Sequence, residues 1–119
     1  DAISGEAVKK IHEFSPQNLA NTAWSFATLM LLNDPLFEVI AERALLLISK
    51  FGAQDLANTA WAMATLGFTH EPLMSAITAA AVTQISEFDA QNLANTAWAF
   101  ATLDMLDAPL LEVISGEVL

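Results

Sequence analysis

Hydrophobic and polar positions along this chain form a pattern that returns every 37 residues. Trp24, Trp61 and Trp98 mark the period, as do Phe14, Phe51 and Phe88, and Pro35, Pro72 and Pro109. The block Leu19-Ala20-Asn21-Thr22-Ala23-Trp24 recurs unchanged at Leu56–Trp61 and Leu93–Trp98. Between Phe14 and Leu36, 13 of 23 positions are identical in all three copies, so each copy solves the same packing problem. A fixed period of this length marks a repeat architecture, whose units bury their apolar faces against one another.

Each unit reads as two helices. The first begins at Ser15-Pro16, Gly52-Ala53 and Asp89-Ala90. Ser, Gly and Asp are favoured N-caps, and Pro16 at the first helical position loses only an N–H that would have no partner there. The second begins at Asp34-Pro35, Glu71-Pro72 and Ala108-Pro109. Leu36, Val39, Ile40, Ala44 and Leu47 line one side of it at helical spacing, with Glu38, Glu42 and Arg43 outside. Gly67 offers the middle copy a stop for its first helix. Residues 1–13 align with the second half of a unit. Residues 14–50, 51–87 and 88–119 follow as three units, the last truncated. The pattern predicts an all-α chain, an α-solenoid of stacked helix-turn-helix repeats with about seven helices. Neither end shows a polar capping repeat, so a segment of a longer array is expected.

The first helix of each unit is unusual. At about 100° per residue, Gln17, Thr28, Asn21, Ser25, Asn18 and Thr22 share one arc, interrupted only by Leu29. The second copy places Gln54, Thr65, Asn58, Ala62, Asp55 and Thr59 there, and the third Gln91, Thr102, Asn95, Ala99, Asn92 and Thr96. Asp55 is the one charge in this arc. A solvated helix face would ordinarily carry Lys and Glu, which favour helix more than Asn or Thr. Stacked units would align columns of amides and hydroxyls, suited to an extended polymer with repeating hydrogen-bonding groups. The ligand-binding candidates are therefore Gln17, Asn18, Asn21, Thr22, Ser25, Gln54, Asp55, Asn58, Thr59, Gln91, Asn92, Asn95 and Thr96. Asn18/Asp55/Asn92 and Ser25/Ala62/Ala99, which vary between copies, are the natural readout positions. The competing structural roles are specific. Asn21, Asn58 and Asn95 would bond neighbouring loops, Gln17, Gln54 and Gln91 would serve the helix start, and the three Trp would pack between repeats. The Trp border the polar arc, which leaves base stacking open.

Composition narrows the function. The chain has 119 residues, enough for one domain, and 55% are hydrophobic, too many for a disordered segment. It has no Cys, which excludes disulfides, Cys-based zinc sites and a Cys nucleophile. His12 and His70 stand alone, without a second ligand at metal spacing. There is no phosphate loop, no Ser-His-Asp set and no carboxylate pair placed for acid–base work. No catalysis, cofactor, metal or small-molecule substrate is expected. Residues 14–33 carry no charge, but their polar load is too great for a helix in lipid, and Asp1 to Glu6 show no signal or transit pattern. Asp and Glu outnumber Lys and Arg by 14 to 4, a net charge of -10. That charge repels nucleic acid at long range and favours a basic partner.

The run Phe-x-x-Gln-Asn/Asp-Leu-Ala-Asn-Thr-Ala-Trp-Ala/Ser-Phe/Met-Ala-Thr-Leu, followed by Pro-Leu, resembles the octotricopeptide repeat. It is similar too to the helical repeats beside RAP domains in FAST-kinase-like proteins, and to a subunit of trypanosomatid-type RNA-editing substrate-binding complexes. The resemblance covers nearly the whole chain. It implies paired-helix arrays that bind single-stranded organellar RNA and govern its processing, stability, editing or translation, in mitochondria or plastids. The period is one residue shorter than the octotricopeptide unit, and Lys9, Lys10, Arg43 and Lys50 make no basic groove. The alternative is a scaffold that holds an extended, basic peptide.

Overall fold

Local capping chemistry sets where each helix begins. The computed structural model describes residues 2–103 and Gly116. Six α-helices run through them: α1 (Ala2–Lys10), α2 (Pro16–Thr28), α3 (Asp34–Leu47), α4 (Ala53–Leu66), α5 (Glu71–Thr83) and α6 (Ala90–Thr102). Short 3-10 turns at Ile11–Glu13, Ile48–Lys50 and Ile85–Glu87 precede α2, α4 and α6. No strand occurs among the described residues. Equivalent elements start 37 residues apart, at Pro16, Ala53 and Ala90, and at Asp34 and Glu71. The seventh helix expected after Ala108 lies outside the described residues.

Ser15 and Asp89 cap α2 and α6 as their sequence suggests. The Ser15 hydroxyl accepts from the Asn18 amide N–H at 3.1 Å, and the Asp89 carboxylate from that of Asn92 at 2.7 Å. The second helices begin one residue earlier than expected. Asn33 Oδ1 accepts from the Leu36 N–H at 2.9 Å, and His70 Nδ1 from the Leu73 N–H at 3.1 Å. Asn33 and His70 are thus the N-caps, and Pro35 and Pro72 sit at the second helical position. His70, which stands in the sequence without a second ligand at metal spacing, satisfies an otherwise orphaned donor.

The first helices end on one geometry with two different residues. After α4, Gly67 takes the left-handed conformation (φ 68°). The Phe68 N–H then donates to the Met63 carbonyl at 2.9 Å, and the Gly67 N–H to that of Ala64 at 3.1 Å. After α2, Met30 does the same at φ 56°, with Leu31 N–H to Phe26 C=O at 2.8 Å and Met30 N–H to Ala27 C=O at 2.9 Å. This paired bonding closes the last turn and prefers Gly.

Helices α2, α4 and α6 lie side by side in one row, and α1, α3 and α5 in a second. Contacts of α2 with α3 and of α4 with α5 join the rows. Between them lies the core, with Leu19, Leu36, Phe37, Ile40, Leu56, Met63, Leu73 and Ile77 fully buried. Each such side chain contributes about 1.5–3 kcal/mol on burial. Phe37 meets Phe26 edge-on at 6.4 Å and Phe68 at 5.6 Å, linking α3 to α2 and to the residues that follow α4. The Gln84 amide donates to the Phe51 carbonyl at 2.8 Å and ties the end of α5 to the approach of α4.

Candidate nucleic-acid interface

Comparing one position across α2, α4 and α6 shows which way it points. Of the described first helices, α2 has a row neighbour only on its C-terminal side and α6 only on its N-terminal side, while α4 has both. A position buried in α4 and α6 but open in α2 therefore faces the preceding helix; this is the leading face. Thr22/Thr59/Thr96 and Ser25/Ala62/Ala99 behave this way: Thr59, Thr96, Ala62 and Ala99 are buried, Ser25 is exposed and Thr22 is half-buried. Conversely, Ala20, Ala57, Ala27 and Ala64 are buried while Ala94 and Ala101 are exposed. These form the trailing face.

This sorting removes several sequence candidates from the ligand surface. Thr59 and Thr96, at 0% and 1% exposure, lie between helices. Their hydroxyl oxygens have no hydrogen-bond partner. Ala62 and Ala99 are fully buried where α4 and α6 meet the preceding helix, and Ser25 at the same position of α2 is exposed. Asn18, Asp55 and Asn92 have a capping task. Their side-chain oxygens accept from the backbone N–H of Ser15, Gly52 and Asp89 at 3.1, 3.2 and 3.1 Å. All three side chains of that column therefore support helix starts. The variation among them swaps one acceptor for another.

What remains points outward. Gln17, Gln54 and Gln91 are exposed in all three copies, so they do not vary with row position. Asn21 is exposed, and Asn58 and Asn95 are half-buried. Among the described residues, neither these glutamines nor these asparagines spend their side-chain amides on the protein. The loop-bonding role considered for the Asn column is not what the structure contains. Each free amide offers an acceptor and two donors.

The Trp column completes this surface, which the sequence weighed more heavily toward packing. Trp24 and Trp98 are 45% and 46% exposed, and Trp61 is half-buried between them. Their ring centroids are 6.3 Å (Trp24–Trp61) and 6.4 Å (Trp61–Trp98) apart, with tilts of 32° and 35°. Trp24 lies seven residues after Gln17 and three after Asn21, which places all three on one helix side. The indoles thus form a continuous ladder flanked by open amides.

Two magnitudes limit how the ladder works. A flat ring inserted between neighbours needs two stacking steps, about 6.8 Å. The tilted indoles, with centroids 6.3–6.4 Å apart, hold no ready gap for a further ring between them. A strand crossing the row meets one indole every 6.3–6.4 Å, nearly twice the roughly 3.4 Å rise of stacked bases. A strand laid along the row would have to extend to match one ring to each indole.

Charge is segregated away from this face. Of the nine described carboxylates, only Asp55 stands on a first helix, and it turns to the Gly52 N–H. Lys9, Lys10, Arg43 and Lys50 all belong to the second-helix row or the turns that follow it. Glu6 meets Lys9 and Lys10 at 3.9 and 3.8 Å, exposed pairs of small energetic weight. The outward face of the first row is therefore amide-rich and aromatic, with Asp55 its one charged side chain, and among the described residues no group of His, Asp and Glu could hold a metal.

The family described as RNA-editing substrate-binding complex 6 protein matches residues 1–119. The chain belongs to that family. Membership places it among helical proteins linked to RNA editing and does not extend to the octotricopeptide repeat as such. A search of curated proteins found no match. No helix among the described residues is long and apolar enough to cross a membrane.

Proposed function

We propose that this chain is a non-catalytic, RNA-binding segment of an RNA-editing substrate-binding assembly, built as an α-solenoid with a 37-residue period. One observation carries the reading: a ladder of three indoles, flanked by unspent amides, on a face that holds no unengaged charge. Single-stranded RNA supplies what this face lacks. Its bases offer rings to the half-exposed Trp and hydrogen-bonding edges to Gln17, Asn21 and their equivalents. Family membership supports the same direction and favours the mitochondrion; the plastid alternative finds no support in it. The site residues become Gln17, Asn21, Trp24, Gln54, Asn58, Trp61, Gln91, Asn95 and Trp98. Thr59, Thr96 and the Asn18 column are structural.

Intrinsic Trp fluorescence tests this directly. Titration with single-stranded RNA quenches and shifts the emission if bases cover the ladder. Unchanged emission over a titration that forms a complex would remove the ladder from the site. A second reading, a scaffold for a basic peptide, is favoured by the carboxylates concentrated on the second-helix row and the turns. It predicts binding of Lys/Arg-rich peptides that weakens steeply with salt and leaves the Trp emission unchanged.

A further inference from the structure

We propose that the link between α2 and α3 is a docking site for a partner protein, taken by a basic amphipathic helix whose apolar side covers Met30 and Leu32. Successive helices alternate in direction, so the links that follow the first helices, residues 29–33 and 67–70, lie at one edge of the two rows. Met30 is 67% and Leu32 46% exposed there. The start of the chain does not explain this. Gly67 and Thr69, one period later, are exposed too, although α4 has a row neighbour on each side. Leu29 and Leu31 are set apart by the same comparison, because Leu66 is half-buried and Phe68 buried. The first copy therefore places two large apolar side chains where this edge faces outward and where the second copy has Gly and Thr.

Backbone conformation gives the second observation. Met30 and Gly67 make the same closure of the preceding helix, at φ 56° and 68°. Gly does so without strain, whereas an L side chain is disfavoured in that region. The Met30 side chain thus works against its own turn and, being exposed, adds little to the core. Strain held at such a place points to a task outside the chain, and Met adapts to varied apolar partners. Charge defines the partner. Asp34, Glu38 and Glu71 stand exposed in the first two turns of α3 and the first of α5, at this edge. Asp34 and Glu71 suit the helix dipole, but the dipole does not require the lack of cations beside them. Lys9, Lys10 and Lys50 lie at the opposite edge, and Arg43 in the C-terminal half of α3. An apolar pair rimmed by carboxylates fits Leu or Phe anchors flanked by Lys or Arg, and it repels RNA phosphates and anionic lipid alike. Docking here does not depend on RNA binding, whose residues Gln17, Asn21 and Trp24 lie along α2 before the link.

The probe is a labelled helical peptide of Leu and Lys, with Leu along one side, titrated with the full chain and followed by anisotropy. Wild type should bind it, more weakly as salt rises. It should bind less well a peptide of the same composition with the apolar side scrambled, and one with Glu for every Lys. Met30→Gly combined with Leu32→Thr gives the first copy the residues of the second, so the fold is kept, as circular dichroism will verify. That double variant should lose at least about tenfold in peptide affinity and keep its affinity for single-stranded RNA. The peptide is titrated without RNA, so docking and RNA binding fail separately. Full peptide affinity in the double variant overturns the proposal. So does a wild type that fails to bind the peptide, or that binds the scrambled one as tightly. A loss of RNA affinity in the double variant also overturns it and assigns the link to the RNA surface.

Discussion

The same substitution, Gly to Ala, should change stability in opposite directions at two positions of this chain. Gly5 lies within α1 and Gly67 at the end of α4. At neither would an added Cβ meet another atom within 4 Å, so sterics with neighbours do not separate them. Backbone conformation does. In a helix interior, Ala is favoured over Gly by about 0.5–1 kcal/mol, because Gly loses more chain entropy on folding. At Gly67 the φ of 68° places an L side chain in the left-handed region, at a cost of about 1–2 kcal/mol. Part of that cost is offset by the lower unfolded-state entropy of Ala. Gly5→Ala should therefore stabilise by about 0.5–1 kcal/mol, and Gly67→Ala should destabilise by about 1 kcal/mol. For a chain of this size, 1 kcal/mol corresponds to roughly 4 °C in Tm. Urea and thermal unfolding followed by circular dichroism will resolve the difference. If both variants shift Tm in the same direction, the closure assigned to the end of α4 is wrong.

Further outcomes follow from the same geometry. Met30 holds the Gly67 conformation with a side chain (φ 56°), so Met30→Gly should exceed Met30→Ala in stability by about 1 kcal/mol in the same unfolding assay. Thr59 has a fully buried hydroxyl without a partner. Thr59→Val should stabilise by about 1 kcal/mol without altering RNA affinity, and a loss of RNA affinity would restore Thr59 to the site. Asn92→Ala removes the acceptor of the Asp89 N–H and should cost about 1 kcal/mol of stability while base preference among RNA homopolymers stays unchanged. His70→Ala should lose about 1 kcal/mol and His70→Asn recover it, since Asn33 performs the same cap on α3.

Much of the fold was legible because the repeat prints its solution three times. Ser15, Asp89 and Gly67 announce helix ends by chemistry, and the structure uses each as such. The start of the second helices was misplaced by one residue because Asp34-Pro35 is a plausible start and Asn33 a better acceptor. His70 was missed because its Nδ1 is a rare capping atom. Met30 was missed because nothing in its side chain favours a positive φ. At the site, helical angle alone could not divide the polar arc. Thr59 and Gln54 share that arc, yet one is buried between helices and the other is open. That division depends on which edge meets a neighbouring helix, a tertiary fact. The Trp column was weighed toward packing because large aromatics dominate cores, and a half-exposed ladder satisfies both packing and exposure.

The most direct test of the central claim is anisotropy of labelled single-stranded RNA with the wild-type chain, Trp24→Ala and Trp98→Ala, each across a salt series. Base-on-indole binding predicts that each substitution costs about 1–3 kcal/mol. It also predicts a dependence of log affinity on log salt shallower than about -0.7, the slope of a single phosphate contact. Wild-type affinity retained in both Trp variants, with a steep salt slope, would show that the RNA binds through its phosphates elsewhere and would contradict the account.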